Sequence, residues 1–284
     1  MIAPIHSVPR LLTLTAVAGA LIASTASAQT TFGVTDNQRL VSFDAANPGA
    51  ILTGVAVSGL QQNEQVTGID FRPATGELFA LGSFSNLYTI DPSNGAATRV
   101  GPGQFSPGLN GSSFGFDFNP TIDRIRVVSD ANQNLVLNPN DGGSTGVTPL
   151  FYATGDVNEG MDPNVVGSAY TNSFAGSTST QLYVLVTQAN SAGTLNTVGS
   201  LGVDLQDVVG FDIDGTNNVA YASVVESTLS RSTFWQIDLA TGAATMVDEI
   251  GGGALVTSIA VVPAPGAVWL LGGGALAGAI RRRR

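Results

Sequence analysis

The chain has 284 residues, 43% hydrophobic and only 11% charged, with 35 glycines, 13 prolines and a formal charge of −10. That length suits one or two domains, and the acidic balance argues against nucleic acid and anionic membrane surfaces as partners. Cysteine and lysine are absent and His6 is the single histidine, which excludes disulfides, thiolate metal sites, cysteine nucleophiles and Schiff-base lysines.

Residues 1–28 read as a secretory signal peptide. His6 and Arg10 lie in the first part, Leu11 to Ile22 form the apolar stretch, and Ala26-Ser27-Ala28 suits cleavage before Gln29. A retained N-terminal anchor is the alternative, but so short an apolar run spans a bilayer poorly. Loss of this leader, and of the arginine tail described below, leaves six arginines against 21 acidic residues, a formal −15, with no histidine. A Ser-His-Asp triad and an imidazole metal site are then also excluded. Any chemistry must use carboxylates, amides, hydroxyls, aromatics or arginine.

Residues 29–263 form one repetitive domain. Val66-Thr67-Gly68-Ile69-Asp70-Phe71-Arg72-Pro73 recurs as Ser113-Phe114-Gly115-Phe116-Asp117-Phe118-Asn119-Pro120, then more weakly as Val165 to Tyr170. It returns as Val208-Val209-Gly210-Phe211-Asp212-Ile213 and as Val256 to Pro263. The anchors 68, 115, 167, 210 and 258 are spaced by 47, 52, 43 and 48 residues, the size of a four-stranded propeller blade. Short β-rich runs follow each copy, separated by hairpin turns such as Ser93-Asn94-Gly95, Asp141-Gly142 and Thr241-Gly242. Phe32 to Asp44 matches Phe79 to Asp91 at the same offset of 12, so the N-terminus carries the later strands of a unit whose first strand is Val256 to Pro263. The prediction is an all-β, five-bladed β-propeller closed by pairing of the N- and C-terminal strands, which leaves no exposed terminal edge. An open β-solenoid or a sandwich is the alternative; a solenoid would need distinct capping repeats.

Residues 264–284 read as a sorting or anchor tail. Val262-Pro263-Ala264-Pro265 precedes an apolar stretch, Gly266 to Ile280, and four arginines, Arg281 to Arg284. This layout resembles the PEP-CTERM sorting signal, with Ala264 where glutamate is usual. The resemblance implies a Gram-negative exopolysaccharide producer, transient inner-membrane anchoring by residues 266–280 with the arginines on the cytoplasmic side, and a sorting protease as partner. A simple C-terminal anchor is the other reading.

Gly68 to Gly76 and Phe114 to Asp130, supported by Ala169-Tyr170-Thr171-Asn172 and Leu201-Gly202-Val203-Asp204, resemble the bacterial domain-of-unknown-function 4394 family. That resemblance implies a secreted or cell-surface domain and supplies no activity and no catalytic residue.

Two groups of residues are candidate sites. Asp70, Asp117 and Asp212 share one position in three innermost-type strands. If it faces the axis, three carboxylates converge, and oxygen-only ligation would suit calcium, the one cofactor the residues suggest. Alternatively each aspartate bonds turn amides in its own blade or pairs with Arg72, Arg124 or Arg126; Ala169 and Ala260 interrupt the set. Asp212 to Asn218 starts like a calcium loop, but Ser223 stands where the bidentate glutamate belongs, so a hairpin turn is expected there, as at Asn138 to Gly143. The long connection 144–164 carries Phe151, Tyr152, Asp156, Glu159 and Asp162. Aromatics beside acids on a loop suit sugar binding; a solvated crossover with its aromatics packed on the second blade is the plain reading.

Two functions stay open. One is a non-catalytic extracellular matrix or exopolysaccharide-associated module, binding a polysaccharide or protein through one face. The other is a carboxylate glycosidase, which needs two acids about 5–10 Å apart in the central funnel.

Overall fold

The computed structural model describes residues 29–186, 195–203, 209–226 and 231–263; the leader and tail expected at residues 1–28 and 264–284 lie outside the described residues. Among the described residues no helix is long and apolar enough to cross a membrane.

The chain is almost entirely β. β1 (Thr30–Thr35), β2 (Arg39–Asp44) and β3 (Asn47–Ala56) lie side by side. β4 (Val66–Phe71), β5 (Leu78–Gly82), β6 (Asn86–Ile90) and β7 (Ala97–Val100) make the second sheet. β8 (Phe114–Asn119), β9 (Arg124–Ser129), β10 (Asn134–Leu137) and β11 (Ser144–Gly146) make the third. β12 (Val165–Tyr170) pairs with β13 (Leu182–Val186) alone. β14 (Val209–Ile213), β15 (Ala220–Glu226), β16 (Arg231–Ile237) and β17 (Ala244–Glu249) make a further four-stranded sheet. The last strand, β18 (Val256–Val261), returns to pair antiparallel with β1, in the register Phe32↔Ala260 and Val34↔Ser258.

The arrangement is propeller-like with four complete blades, where the sequence predicts five. The repeat beginning at β12 yields a two-stranded sheet among the described residues, so a closed array of five full blades is not what the structure presents. Outer strands of this repeat would follow β13, and residues 187–194 and 204–208 of that stretch lie outside the described residues. Residues 195–203 add an isolated bridge, Tyr152 to Leu195, and the Ala244 N–H on β17 donates to the Leu201 carbonyl at 2.9 Å.

All five copies of the repeated segment form strands, and these pack on one another: β4 on β8, β8 on β12, β12 on β14, β14 on β18 and β18 on β4. Covered on both faces, they read as near-continuous buried runs. Glycine permits the closeness. A Cβ on Gly115 would lie 2.5 Å from the Ser168 backbone nitrogen on the next strand, and one on Gly210 would lie 2.6 Å from that of Ile259. Between the sheets the core is apolar, with edge-on aromatic pairs Phe79–Phe118 at 5.1 Å, Phe43–Phe234 at 5.2 Å and Phe32–Phe71 at 5.6 Å joining neighbours. Asp212 to Asn218 is a hairpin turn between β14 and β15, with the Asn218 N–H donated to the Asp214 carbonyl at 2.9 Å. Asn138 to Gly143 is likewise a turn, with the Gly142 N–H donated to the Asn138 carbonyl at 2.9 Å.

Candidate functional site

The repeated segment places glycine and, two residues later, aspartate on the same side of its strand, because side chains alternate. In β8 and β14 that side faces the following strand, as the Gly115 and Gly210 approaches show. Asp70 therefore accepts the N–H of Phe71 with Oδ1 at 2.7 Å and that of Phe118 on β8 with Oδ2 at 2.7 Å. Asp117 accepts the N–H of Tyr170 on β12 at 3.0 Å. Asp212 accepts those of Ile213 at 2.6 Å and of Val261 on β18 at 2.5 Å. Each carboxyl group ties its strand to the next. Ala169 and Ala260 supply no such tie; at the seam from β18 to β4 the Ser258 hydroxyl accepts the Ile69 N–H at 3.0 Å.

The three aspartates converge as the repeat suggests. All are buried, and one carboxylate oxygen from each lies within 4.8 Å of the others. The alternative reading is corrected in detail: their amide partners are on inner strands rather than turns, and the arginines go elsewhere. Arg72 forks onto Asp123 and reaches Asn140, Arg124 donates to the Asp123 carbonyl, and Arg126 donates to Asn134 and the Tyr170 hydroxyl.

Burial without cations raises all three pKa values. Asp70 is pushed well up by desolvation and then by the charge of Asp212. Asp117 is pushed well up by desolvation and then by Asp70 and Asp212. Desolvation raises Asp212 to about 7. Asp117 and Asp212 also act on each other across the cluster, which holds Asp117 up and tempers the rise of Asp212. Three oxygen donors of this kind would suit a hard cation such as calcium once ionised.

Above the trio the strands open into a cavity of about 390 Å³. Thr67, Phe114, Val166, Val209 and Thr257 line it, one from each inner strand. Each stands three residues before Asp70, Asp117, Ala169, Asp212 or Ala260, about 10 Å along an extended chain. Sequence reasoning did not find this mouth, although the constant offset within the repeat is its signal.

The loop candidates are not gathered at one point. Phe151 is exposed and Tyr152 buried. Asp156 accepts the Thr197 N–H at 2.6 Å and the Asn158 N–H at 2.9 Å, which hold it below the usual carboxylate range. Glu159 accepts the Gly155 N–H at 2.7 Å, and Asp162 accepts the Asn132 side-chain amide at 2.6 Å. These acids serve local structure. Glu64, which sequence reasoning left unassigned, is buried and accepts the Tyr88 hydroxyl at 2.6 Å, the Asn86 amide at 3.0 Å and the Phe84 N–H at 3.1 Å.

The family model described as "Domain of unknown function (DUF4394)" matches residues 39–260. The chain belongs to this family. Among curated proteins no sequence matches the DUF4394 chain. Its fold is similar to a chain in the crystal structure of a nidogen/laminin complex, with 9% identity, a TM-score of 0.45, and 82% of this chain and 98% of that one covered. A protein from Lactobacillus plantarum is similar at 14% identity and a TM-score of 0.33, with 82% and 71% covered.

Proposed function

We propose that the DUF4394 domain is an exported, non-catalytic binding module of the cell exterior, associated with extracellular polysaccharide. The observation that carries this reading is the use made of its acids. The convergent carboxyl groups are buried and serve as ties between strands, whereas glycoside hydrolysis needs two accessible carboxyl groups about 5–10 Å apart. Among the described glutamates, Glu64 is buried with Tyr88 and Asn86, Glu77 bonds Thr75, Glu159 caps its own loop, and Glu249 pairs with Arg231. In this reading the β12–β13 sheet is the fifth, abbreviated member of a ring of five, and the pairing of β1 with β18 seals it.

The leader and the tail complete the reading. Residues 1–28 direct export, and residues 266–280 hold the protein in the inner membrane of a Gram-negative bacterium until a sorting protease acts near Val262 to Pro265. The test is expression of the full chain in such a host, followed by fractionation and mass analysis. An extracellular product that lacks residues 1–28 and the tail, sediments with exopolysaccharide and leaves it uncleaved is expected. A cytoplasmic product, or new reducing ends in the polysaccharide, would overturn it.

Calcium at the trio is a second reading, favoured by the convergence of three oxygen ligands. Burial raises the pKa of all three aspartates, so the cation competes with protons and its uptake belongs to alkaline pH.

A further inference from the structure

We propose that the mouth above the aspartates is a binding site for a neutral saccharide. The proposal rests on the non-catalytic reading above and deepens it by naming the site and the ligand chemistry.

All five inner strands contribute a residue at the same repeat position to the mouth. Its volume of about 390 Å³ lies within the range of small-molecule sites. Its wall combines an apolar floor, including Val166 and Val209, with amide, hydroxyl and carboxylate groups. Gln38 spends its Oε1 on the Val66 N–H at 2.7 Å, which orients the side chain and leaves its NH₂ to donate. Asp36 and Gln65 are exposed at the rim, and their side chains make no hydrogen bond within the protein among the described residues. Phe114 is half-buried on the same wall.

This set selects by charge and by shape. No lysine, arginine or histidine lines the mouth, and Asp36 is exposed at its rim. A phosphate or uronate would meet a carboxylate and no cation there. A neutral sugar ring offers hydroxyl pairs that bridge an amide or carboxylate, and a C–H face that lies against an aromatic ring. Of the loop aromatics, Phe151 is exposed and Tyr152 lines a separate, smaller cavity of about 220 Å³ beside β13.

The experiment uses the exported protein purified from culture medium, titrated calorimetrically with maltose, cellobiose and chitobiose, and with choline as a cationic control. At least one disaccharide should bind with a Kd on the order of 1 mM, a gain typical of a few well-placed hydrogen bonds. Asp36→Ala and Gln65→Ala alter exposed rim residues and should each weaken binding about tenfold. Phe151→Ser should leave it unchanged. The proposal is overturned if no disaccharide binds, if choline alone binds, or if the rim variants bind as tightly as the parent. Release of monosaccharide during the titration would instead sink the non-catalytic reading, while the rim variants still decide the site.

Discussion

The Asp117 and Asp212 carboxyl groups, carried by β8 and β14 in two different sheets, each bring an oxygen within 4.8 Å of the other inside the protein. Two buried carboxylates so close repel each other, and without a cation beside them the neutral acid is favoured.

Stability should therefore favour acid over alkaline conditions. Asp212 rises from an ordinary 3.8 to about 7 on folding, and Asp70 and Asp117 shift the same way. Stabilisation tied to a raised pKa is complete below about pH 4 and is lost as pH climbs through about 7. Asp123 beside Arg72 is held low, so its contribution is present above pH 3.8 and fades in stronger acid. The melting temperature should be several degrees higher at about pH 5 than at pH 8, and Asp212→Asn should flatten that slope. A scanning-calorimetry profile that climbs between these two values would contradict a protonated trio.

Calcium should act in the opposite pH range. At about pH 8, millimolar calcium should raise the melting temperature more than sodium chloride of equal ionic strength, by mass action on the folded state. The gain should shrink at pH 5 and vanish in Asp117→Asn. Equal shifts with both salts would show screening of the acidic surface instead.

Gly115→Ala should be strongly destabilising. The added Cβ would sit 2.5 Å from the Ser168 nitrogen and from its Oγ, so β8 and β12 must separate, at a cost of about 1–3 kcal/mol. Gly103→Ala, where nothing lies within 4 Å, is the control. Urea denaturation of both variants checks the difference.

Glu64→Ala should cost about 1–3 kcal/mol, because Tyr88 and Asn86 lose a buried acceptor. Glu64→Gln keeps one acceptor oxygen and should recover part of the loss. If urea midpoints of parent and Glu64→Ala coincide, the buried network is without consequence.

Much of the architecture is visible in the repeat. The Gly-x-Asp segment recurs at blade spacing, and Phe32 to Asp44 repeats the later strands of the unit at Phe79 to Asp91, so the meeting of β1 and β18 follows from pattern alone. Strand alternation and turn residues are local properties, and local properties are written in order along the chain. The two-stranded sheet of β12 and β13 among the described residues was not visible in the repeat, because Val165 to Tyr170 carries the same apolar run that marks a first strand elsewhere.

The chemistry belongs to the packed molecule. That Asp70 reaches the Phe118 N–H, that three aspartates converge, and that five residues three places upstream form one mouth all depend on strands brought together from distant parts of the chain. Sequence alone determined which residues repeat, and so which are equivalent. Only the tertiary structure decided which of them touch and how far water is excluded, because burial and neighbouring charge, not residue type, set whether an aspartate is an ion or an acid.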